Sequence, residues 1–386
     1  MNSQAQQASE PSRTSSPFMR SALSYASQAL YRSNPNPRVG CVIVSSTGDV
    51  LGVGSTQAAG SAHAEVMALR DVAARGLEAR GATAYVTLEP CSHRGRTGPC
   101  CDALISAGIQ RVVASVSDPN PLVAGQGFAK LRAAGVAVEV GEGAEESVEL
   151  NVGFFSRMIR GTPWVRLKTA ISLDGATALQ NGQSQWITSP QARADGHAWR
   201  ARACAVLTGI GTVLADDPSL DVREVETPRQ PHLVIVDSDL RTPANARLWS
   251  VSHRSVLIYT GIDAPSRKSH LEALGAQVIT MPDASGRVEL AAMLRDLAQR
   301  NVNELHVEAG QTLNGALVEA HLVDEVLAYV APKLLGAGTR GITSWGPLQS
   351  LQESATLEFH SHQPVGPDLR LLARPPGRAA FVPRAS

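Results

Sequence analysis

Two successive series of short apolar strands, each alternating with helical segments, constrain the fold of this chain more than any other feature. In the first series, β-branched runs at residues 41–46, 83–88, 111–117 and 136–140 alternate with stretches of helical periodicity. A helix over residues 17–31 is expected to precede them. Such alternation is typical of an α/β layered domain with a largely parallel sheet.

A second series of the same kind begins near residue 162. Its strands are expected at residues 164–169, 205–208, 232–236, 255–259, 277–280 and 304–307. We therefore place the domain boundary within residues 151–161, in keeping with a length of 386 residues, which is too long for one typical core. The expected organisation is as follows: a disordered tail (1–16), a first domain (17–155), a second domain (162–374) and a C-terminal tail (375–386) that frays from Arg374.

Charge and cysteine usage narrow the class of protein. Lysine plus arginine and aspartate plus glutamate number 35 each, and this zero net charge disfavours a polynucleotide substrate. Five unevenly spaced cysteines do not suggest a disulfide framework, and the N-terminus lacks the apolar core of a secretory signal. No apolar run is long enough to cross a bilayer. We expect a cytoplasmic globular protein that binds neither nucleic acid nor membrane.

One stretch carries three potential metal ligands and a carboxylate. His63 and Glu65 open an expected helix over residues 64–75, and Cys91 and Cys100 follow downstream. One imidazole and two thiolates suit tetrahedral Zn²⁺ and leave a fourth position for water, which the metal makes acidic. Glu65 is then placed to carry a proton from that water to the substrate. This order of residues is typical of zinc-dependent base deaminases, in which the glutamate is the general acid/base.

The spacing of the two cysteines departs from that pattern. They lie nine positions apart instead of three, and the intervening loop carries His93 and Arg96, which could meet a substrate phosphate. The competing interpretation is a closed structural zinc site or ordinary buried thiols. A closed site needs a fourth ligand, and we expect the adjacent Cys101 to point elsewhere.

The first half resembles the deaminase domain of the bifunctional deaminase/reductase family of riboflavin biosynthesis. The matching segments are residues 34–40, 63–66, 91–101 and 117–121. The resemblance implies a cytidine-deaminase-like three-layer domain. It also implies that the phosphoribosyl-pyrimidine is held by Asn36, His93, Arg96, Asp118 and Asn120. The family usually has a histidine where this chain has Thr56.

The second half lacks a GxGxxG fingerprint but has two glycine-containing turns after expected strands. Residues 208–212 form one, and residues 308–315 form the other, which is expected to open a helix at about Ala316. Backbone N–H groups at a helix start suit a diphosphate. Taken alone, each is an ordinary turn.

Resemblance to the reductase domain of the same family gives these turns a role. The matching segments are Lys168 and residues 172–175, 184–188, 208–218, 308–315 and 331–336, so the likeness covers residues 17–374. It implies a fold similar to dihydrofolate reductase. The NADPH contacts it implies are Ala170, Trp186, Thr212, Asp216, Ser238, Gly310, Gln311, Thr312, Leu313, Asn314, Gly315 and Ala316. The substrate contacts it implies are Lys168, Ser184, Arg200, Leu220, Arg223 and Glu308.

The function implied is two successive steps on one ribosylaminopyrimidine phosphate: zinc-dependent hydrolytic deamination, then reduction of the ribosyl group to ribityl by NADPH. A homo-oligomer is a further implication of the resemblance. Two other readings remain open. One is a nucleic-acid or free-nucleoside deaminase with an accessory domain, and the other is a zinc-stabilised nucleotide-binding regulator without turnover.

Overall fold

A computed structural model describes residues 15–93, 98–121 and 123–381. The chain falls into two compact units. The first comprises the described residues up to Ala29 together with Pro37–Leu150, and the second comprises Leu30–Asn36 and the chain from Asn151 onward. The boundary predicted within residues 151–161 separates domains by their function, not by their contacts, so it stays a prediction.

The first unit is built on a mixed five-stranded sheet. Its elements are α1 (Pro17–Ser27), β1 (Gly40–Val44), β2 (Val50–Ser55), α2 (Ala64–Ala74), β3 (Thr83–Val86), α3 (Cys100–Ser106), β4 (Arg111–Ala114), α4 (Gln126–Ala133), β5 (Ala137–Val140) and α5 (Ala144–Leu150). The strand order is β2-β1-β3-β4-β5. Because β1 runs antiparallel to both β2 and β3, only β3, β4 and β5 are mutually parallel. The expectation of a largely parallel sheet is wrong for this unit, since it overlooked β2.

Helix α1 packs closely on the sheet. Ser16 caps it by accepting a hydrogen bond from the Met19 backbone, and a proline follows at the first position. A Cβ on Gly40 would lie 1.9 Å from the Ala22 carbonyl oxygen, so only glycine permits this approach. Because Ser16 caps α1 and Ser15 is buried, these two residues belong to the folded unit and not to the expected tail. Residues 1–14 lie outside the described residues.

The second unit contains a nine-stranded sheet in the order β10-β9-β8-β7-β11-β6-β12-β14-β13. Its elements are α6 (Val152–Arg160), β6 (Trp164–Ser172), α7 (Pro190–Arg202), β7 (Ala205–Gly209), α8 (Ile210–Asp216), β8 (His232–Val236), β9 (Val256–Thr260), α9 (Pro265–Ala273), β10 (Ala276–Thr280), α10 (Leu290–Gln299), β11 (Glu304–Val307), α11 (Gln311–Glu319), β12 (Glu325–Ala331), β13 (Glu358–Val365) and β14 (Asp368–Arg374). In this spatial order, β10, β9, β8, β7, β11, β6 and β12 are mutually parallel. Strands β14 and β13 add antiparallel pairs at one edge of the sheet.

Apolar side chains cover both faces of this sheet. On β8, Val234 packs into one core cluster, whereas its neighbours Leu233 and Ile235 pack into another. Alternate residues of a strand point to opposite faces, so continuous apolar runs are what a strand buried on both sides requires. This is why β7, β8 and β9, which lie inside the sheet, were predictable from their composition.

The C-terminal segment is packed rather than frayed. The Arg374 guanidinium pairs with the buried Glu325 carboxylate at 2.6 Å, and the buried Phe381 ring lies 6.0 Å from that of Trp164. Arg378 pairs with Asp324. The expectation of fraying from Arg374 is therefore wrong for residues 374–381, and residues 382–386 lie outside the described residues. In the part of the chain that the structure describes, no helix is long and apolar enough to cross a membrane.

The segments that resemblance assigns to a reductase lie at the carboxyl ends of the parallel strands. Strands β6, β7 and β11 end at Ser172, Gly209 and Val307, and the segments named from resemblance directly follow them. In open parallel sheets, ligands bind outside these carboxyl ends. Helix α11 begins at Gln311, not at about Ala316 as expected, so residues 311–316 form its first turns. The glycine at position 315 hid this helix in the sequence pattern.

Candidate metal centre and reductase site

Three predicted zinc ligands come together in the first unit. His63 is the N-cap of α2, Cys91 lies in the loop after β3, and Cys100 is the first residue of α3. The His63 Nδ1 atom lies 3.4 Å from the Cys100 sulfur and 3.6 Å from the Cys91 sulfur. All three ligand atoms lie within 4.8 Å of one another. Two helix starts and one loop thus direct one nitrogen and two sulfurs at a common point.

The chemistry of this donor set fits zinc. One imidazole and two sulfurs match the tetrahedral preferences of Zn²⁺ and supply three of its four positions. The contact between the two sulfurs, in which the Cys100 side chain hydrogen-bonds Cys91, holds the pKa of the Cys91 thiol well below its ordinary value although burial opposes it, and the same contact raises the pKa of Cys100. A sulfur that is readily deprotonated is the form that binds a metal.

Glu65 lies beside these ligands in the first turn of α2 and is only 3% exposed. Its carboxyl is hydrogen-bonded to the Cys100 side chain. Burial, and then the nearby Cys91 sulfur, raise the pKa of Glu65 to about 7. A carboxyl in this range can both take up and release a proton near neutrality, as proton transfer in catalysis requires.

The neighbouring cysteine does not join the cluster. The Cys101 sulfur points the other way and donates to the Pro90 carbonyl oxygen at 3.1 Å and to that of Gly127 at 3.5 Å. Cys101 therefore supplies no fourth ligand, as expected from the sequence, and among the described residues the cluster consists of His63, Cys91 and Cys100.

The residues that resemblance assigns to the first substrate are placed as follows. Asp118 and Asn120 are half-buried in the loop after β4, where the Asp118 Oδ1 atom accepts from the Asn120 backbone at 2.8 Å. Burial raises the pKa of Asp118 to about 6, and the nearby Glu89 adds to this. His93 is exposed, and Asn36 belongs by its contacts to the second unit.

Two further positions complete that set. Arg96 lies outside the described residues. Thr56, which stands where the family usually has histidine, is buried, and its hydroxyl accepts from the Val39 backbone at 3.1 Å.

Sequence reasoning missed Glu89, a buried carboxylate between β3 and Cys91. Four backbone N–H groups from the segments after β4 donate to it. The available signal was a charged residue directly after a buried apolar strand, because a carboxylate is buried only when it is paired or hydrogen-bonded.

In the second unit, a cluster of charged side chains surrounds Glu308 at the carboxyl end of β11. The Arg200 guanidinium donates to both oxygens of Glu308, at 2.7 and 3.0 Å, and the Lys168 Nζ atom lies 3.8 Å from Glu308. His306, fully buried on β11, has its Nε2 atom 3.5 Å from the Glu308 carboxylate. Three of the predicted substrate residues are therefore brought together.

Opposing effects set the ionisation of this cluster. Burial alone would raise the pKa of Glu308, but the Arg200 and Lys168 charges outweigh it and hold that pKa well below its ordinary range. Burial lowers the pKa of Lys168, and Arg200 lowers it further, whereas Glu308 opposes the change. Burial also lowers the pKa of His306 to about 3, so this imidazole is neutral near neutral pH.

The two glycine-containing turns face each other. A Cβ on Gly310 would lie 3.8 Å from the Thr212 hydroxyl, and one on Gly209 would lie 3.4 Å from the Leu313 side chain. The Thr208 hydroxyl donates to the Glu308 carbonyl oxygen at 2.8 Å, which joins the two strand ends. The N-terminus of α11 thus lies next to the turn that opens α8.

The Asn314 side chain, which resemblance assigns to NADPH, is hydrogen-bonded within the protein. Its side-chain amide is buried and donates to the carbonyl oxygens of Ala309 at 3.2 Å and Ile342 at 3.1 Å. It thereby fastens the turn before α11 to the segment near residue 342. Of the neighbouring predicted contacts, Gly310 and Thr312 are exposed, and Gln311 is half-buried.

The remaining predicted reductase residues lie around this edge. The Trp186 ring is 60% exposed, with the Arg193 guanidinium 4.3 Å from its centroid. Leu220 is buried at a positive φ of 51°, and Arg223 pairs with Asp221 at 2.8 Å. The other positions are Ala170 on β6, Ser184 before α7, Asp216 at the end of α8, Ser238 after β8, and Gly315 and Ala316 in α11.

Family comparisons cover both units. The cytidine and deoxycytidylate deaminase zinc-binding region matches residues 12–116. The RibD C-terminal domain matches residues 163–371.

Individual relatives match nearly end to end. The riboflavin biosynthesis protein RibD of Escherichia coli (strain K12) is 44% identical over 362 residues, or 92% of this chain and 97% of that protein. The solved structure of Acinetobacter baumannii RibD (form 1) has a TM-score of 0.84 at 38% identity, covering 93% of this chain and 98% of that one. A Thermotoga maritima structure described as a diaminohydroxyphosphoribosylaminopyrimidine deaminase/5-amino-6-(5-phosphoribosylamino)uracil reductase has a TM-score of 0.81 at 31% identity, with 93% and 97% covered.

A zinc-binding deaminase domain joined to a reductase domain defines a bifunctional enzyme, and the α/β fold of both units agrees with it. The chain belongs to the RibD family of riboflavin biosynthesis enzymes. The family, the fold class and the two activities predicted from the sequence are confirmed.

Proposed function

We propose that this enzyme first deaminates 2,5-diamino-6-(5-phosphoribosylamino)pyrimidin-4-one by hydrolysis. It then uses NADPH to reduce the ribosyl group of 5-amino-6-(5-phosphoribosylamino)uracil to ribityl. The observation that carries the proposal is the convergence of His63, Cys91 and Cys100 beside the buried Glu65 carboxyl. Residues 17–155 carry the first step, and residues 162–374 carry the second.

In the first step, His63, Cys91 and Cys100 would hold zinc, whose Lewis acidity would make water nucleophilic near neutral pH. Glu65 would carry one proton of the attacking water to the ring nitrogen and the other to the departing amine, so that the C–N bond breaks and ammonia leaves as the carbonyl forms. Its carboxyl is buried beside these ligands and hydrogen-bonded to the Cys100 side chain, which fits this role.

The first substrate is held by the loop after β4 and by the loop that precedes α3. Asp118 and Asn120 hydrogen-bond the pyrimidine or its sugar, and the half-buried Asp118 oxygen already orders the Asn120 backbone. The family resemblance assigns the remaining contacts to the phosphoribosyl group to His93, Arg96 and Asn36.

In the second step, residues at the strand ends of the second unit would hold NADPH. Backbone N–H groups at residues 310–312, which open α11 and have no intrahelical partner, would bind its diphosphate. Thr212, Asp216, Ser238, Ala170 and Trp186 line the rest of the cofactor. The cofactor supplies the hydride, and the protein positions it against C1′ of the opened ribose.

The charged cluster orients the second substrate. Lys168, in the middle of β6, and Glu308, directly after β11, face the sugar, since both are half-buried side by side. Arg223, whose side chain is about half exposed, is the available phosphate ligand, with Ser184 and Leu220 beside the substrate. Arg200 acts through Glu308 because its guanidinium is already paired with that carboxylate.

The setting of the enzyme follows from the same chemistry. Two zinc thiolates and three further thiols, none in a disulfide, suit a reducing cytoplasm. We infer a cytoplasmic homo-oligomer that acts on small phosphorylated substrates and binds neither nucleic acid nor membrane.

The test is to supply the purified enzyme with each substrate separately. The diaminopyrimidinone should yield one ammonia per turnover without NADPH, and the aminouracil should oxidise NADPH without ammonia release. Activity on cytidine or tRNA in place of the diaminopyrimidinone would contradict the proposal.

A further inference from the structure

The Glu89 carboxylate accepts four hydrogen bonds from backbone N–H groups. Its Oε2 atom accepts from Asp118 at 3.0 Å and from Gly125 at 2.9 Å. Its Oε1 atom accepts from Gly127 at 2.8 Å and from Phe128 at 3.3 Å. The residue is 5% exposed. A carboxylate is the side chain that can satisfy this many donors, because each ionised oxygen accepts two hydrogen bonds.

These four donors come from two consecutive structures. The Asp118 amide belongs to the loop that carries Asp118 and Asn120. The Gly127 and Phe128 amides belong to the first turn of α4, where N–H groups have no intrahelical partner. Glu89 therefore caps α4 from another element and ties the helix start to the loop before it.

The start of α4 packs too closely against Pro90 for any side chain at Gly127. A Cβ on Gly127 would lie 2.0 Å from the Pro90 carbonyl oxygen, so the backbone of α4 rests directly on the residue that precedes Cys91. Cys101 reinforces the contact by donating to the carbonyl oxygens of Pro90 and Gly127. The metal-ligand segment and the Asp118 loop are thus held to each other through Glu89 and Pro90.

We propose that Glu89 is a positioning residue of the deaminase step, which fixes Asp118 and Asn120 relative to the metal ligand Cys91 so that they meet the phosphoribosyl-pyrimidine. This role rests on the function proposed above for the same site. Glu89 itself touches neither the substrate nor the reacting atoms.

Glu89→Gln separates positioning from folding. A glutamine offers one carbonyl oxygen and one NH₂ group, so in either orientation two backbone donors face another donor. Glu89→Asp keeps both oxygens but withdraws them by one methylene. Glu139→Gln, at an exposed residue of β5 in the same unit, is the matched control.

The experiment measures amide hydrogen exchange, zinc content, and KM and kcat for ammonia release on the full chain. In Glu89→Gln we expect exchange at residues 118, 125, 127 and 128 to accelerate roughly ten- to a hundredfold. We expect KM to rise about tenfold or more, with a smaller fall in kcat and unchanged zinc content and NADPH oxidation. Glu89→Asp should lie between Glu89→Gln and the wild type.

The outcomes separate this role from the function on which it rests. Normal ammonia release by the wild type with an unchanged KM in Glu89→Gln would overturn the positioning role alone. Loss of zinc in parallel with activity would also overturn it, because Glu89 would then support only the metal centre. A wild type that releases no ammonia from the diaminopyrimidinone would refute the proposed function, and the positioning role with it.

Discussion

Arg200 and Glu308 form a bidentate ion pair between α7 and the turn after β11, with the Arg200 Nε and Nη2 atoms donating to the two Glu308 oxygens at 2.7 and 3.0 Å. The remaining edge of the guanidinium donates to the Asp221 carbonyl oxygen. Arg200 thereby ties the Glu308 turn to the loop that carries Leu220 and Arg223. This pairing explains how an arginine that resemblance assigns to the substrate can act through its neighbours.

The pair should be strongly coupled in stability. The two side chains are only 12% and 14% exposed, so Glu308→Gln leaves Arg200 and Lys168 without their counterion and should cost about 3 kcal/mol. Arg200→Met should cost a similar amount, and the double variant should cost about 1–3 kcal/mol less than the sum of the two. Denaturant unfolding followed by tryptophan fluorescence measures this, because all five tryptophans lie in the second unit. Additive costs would contradict the pairing.

The stability of the second unit should depend on His306 in mildly acidic solution. Burial first, and then Arg166, Arg200 and Lys168, lower its folded pKa to about 3, from 6.5 for a free imidazole, although Glu308 opposes the shift. Between these values the unfolded chain binds one proton more, so stability falls as pH falls. His306→Gln should reduce that slope by about 1.4 kcal/mol per pH unit between pH 6 and 4. Unfolding by urea at several pH values measures it, and the exposed His321→Gln is the control. Equal slopes in His306→Gln and the wild type would contradict the prediction.

Gly310→Ala should weaken NADPH binding without destabilising the protein. The added methyl group would lie 3.8 Å from the Thr212 hydroxyl, which is an ordinary contact, so the free protein accommodates it. It would nevertheless occupy the space between the two turns where we place the diphosphate. We expect the Kd for NADPH, measured by titration, to rise about tenfold, with unchanged unfolding and ammonia release. An unchanged Kd would move the cofactor away from the α11 N-terminus.

Glu65→Gln should remove proton transfer while leaving the metal. Glutamine fills the same buried space beside Cys100 but cannot carry a proton, so ammonia release should fall about 10²–10⁴-fold. Zinc content and NADPH oxidation should match the wild type, and the exposed Glu78→Gln is the matched control. Metal loss in the Glu65 variant would instead mark Glu65 as part of the zinc centre.

The sequence predicted which residues lie together where residue chemistry and local order coincide. His63, Glu65, Cys91 and Cys100 have residue types that few other roles require, and the two helix starts that carry them were visible in the pattern. Strands β7, β8 and β9 of the second unit were predictable for a similar reason, since strands covered on both faces are mostly apolar.

Long-range partners and exposed elements were not predictable. The strand β13 is mostly exposed, so it carries no apolar signal, and β12 opens with the buried charge of Glu325. The carboxylate partner of Arg200 lies 108 residues away along the chain, and the backbone partners of Glu89 lie 29 or more residues away, so no local pattern specifies them. Only the folded structure reveals that these charges are satisfied, and by which groups.

The central claim is that two separate sites work on one chain, and Cys91→Ser tests it most directly. The variant is supplied in parallel with the diaminopyrimidinone and with the aminouracil, and ammonia release and NADPH oxidation are followed together with zinc content. The account predicts that zinc and ammonia release are lost while NADPH oxidation on the aminouracil keeps the wild-type rate. Loss of both activities in a folded protein, or persistence of ammonia release without zinc, would contradict it.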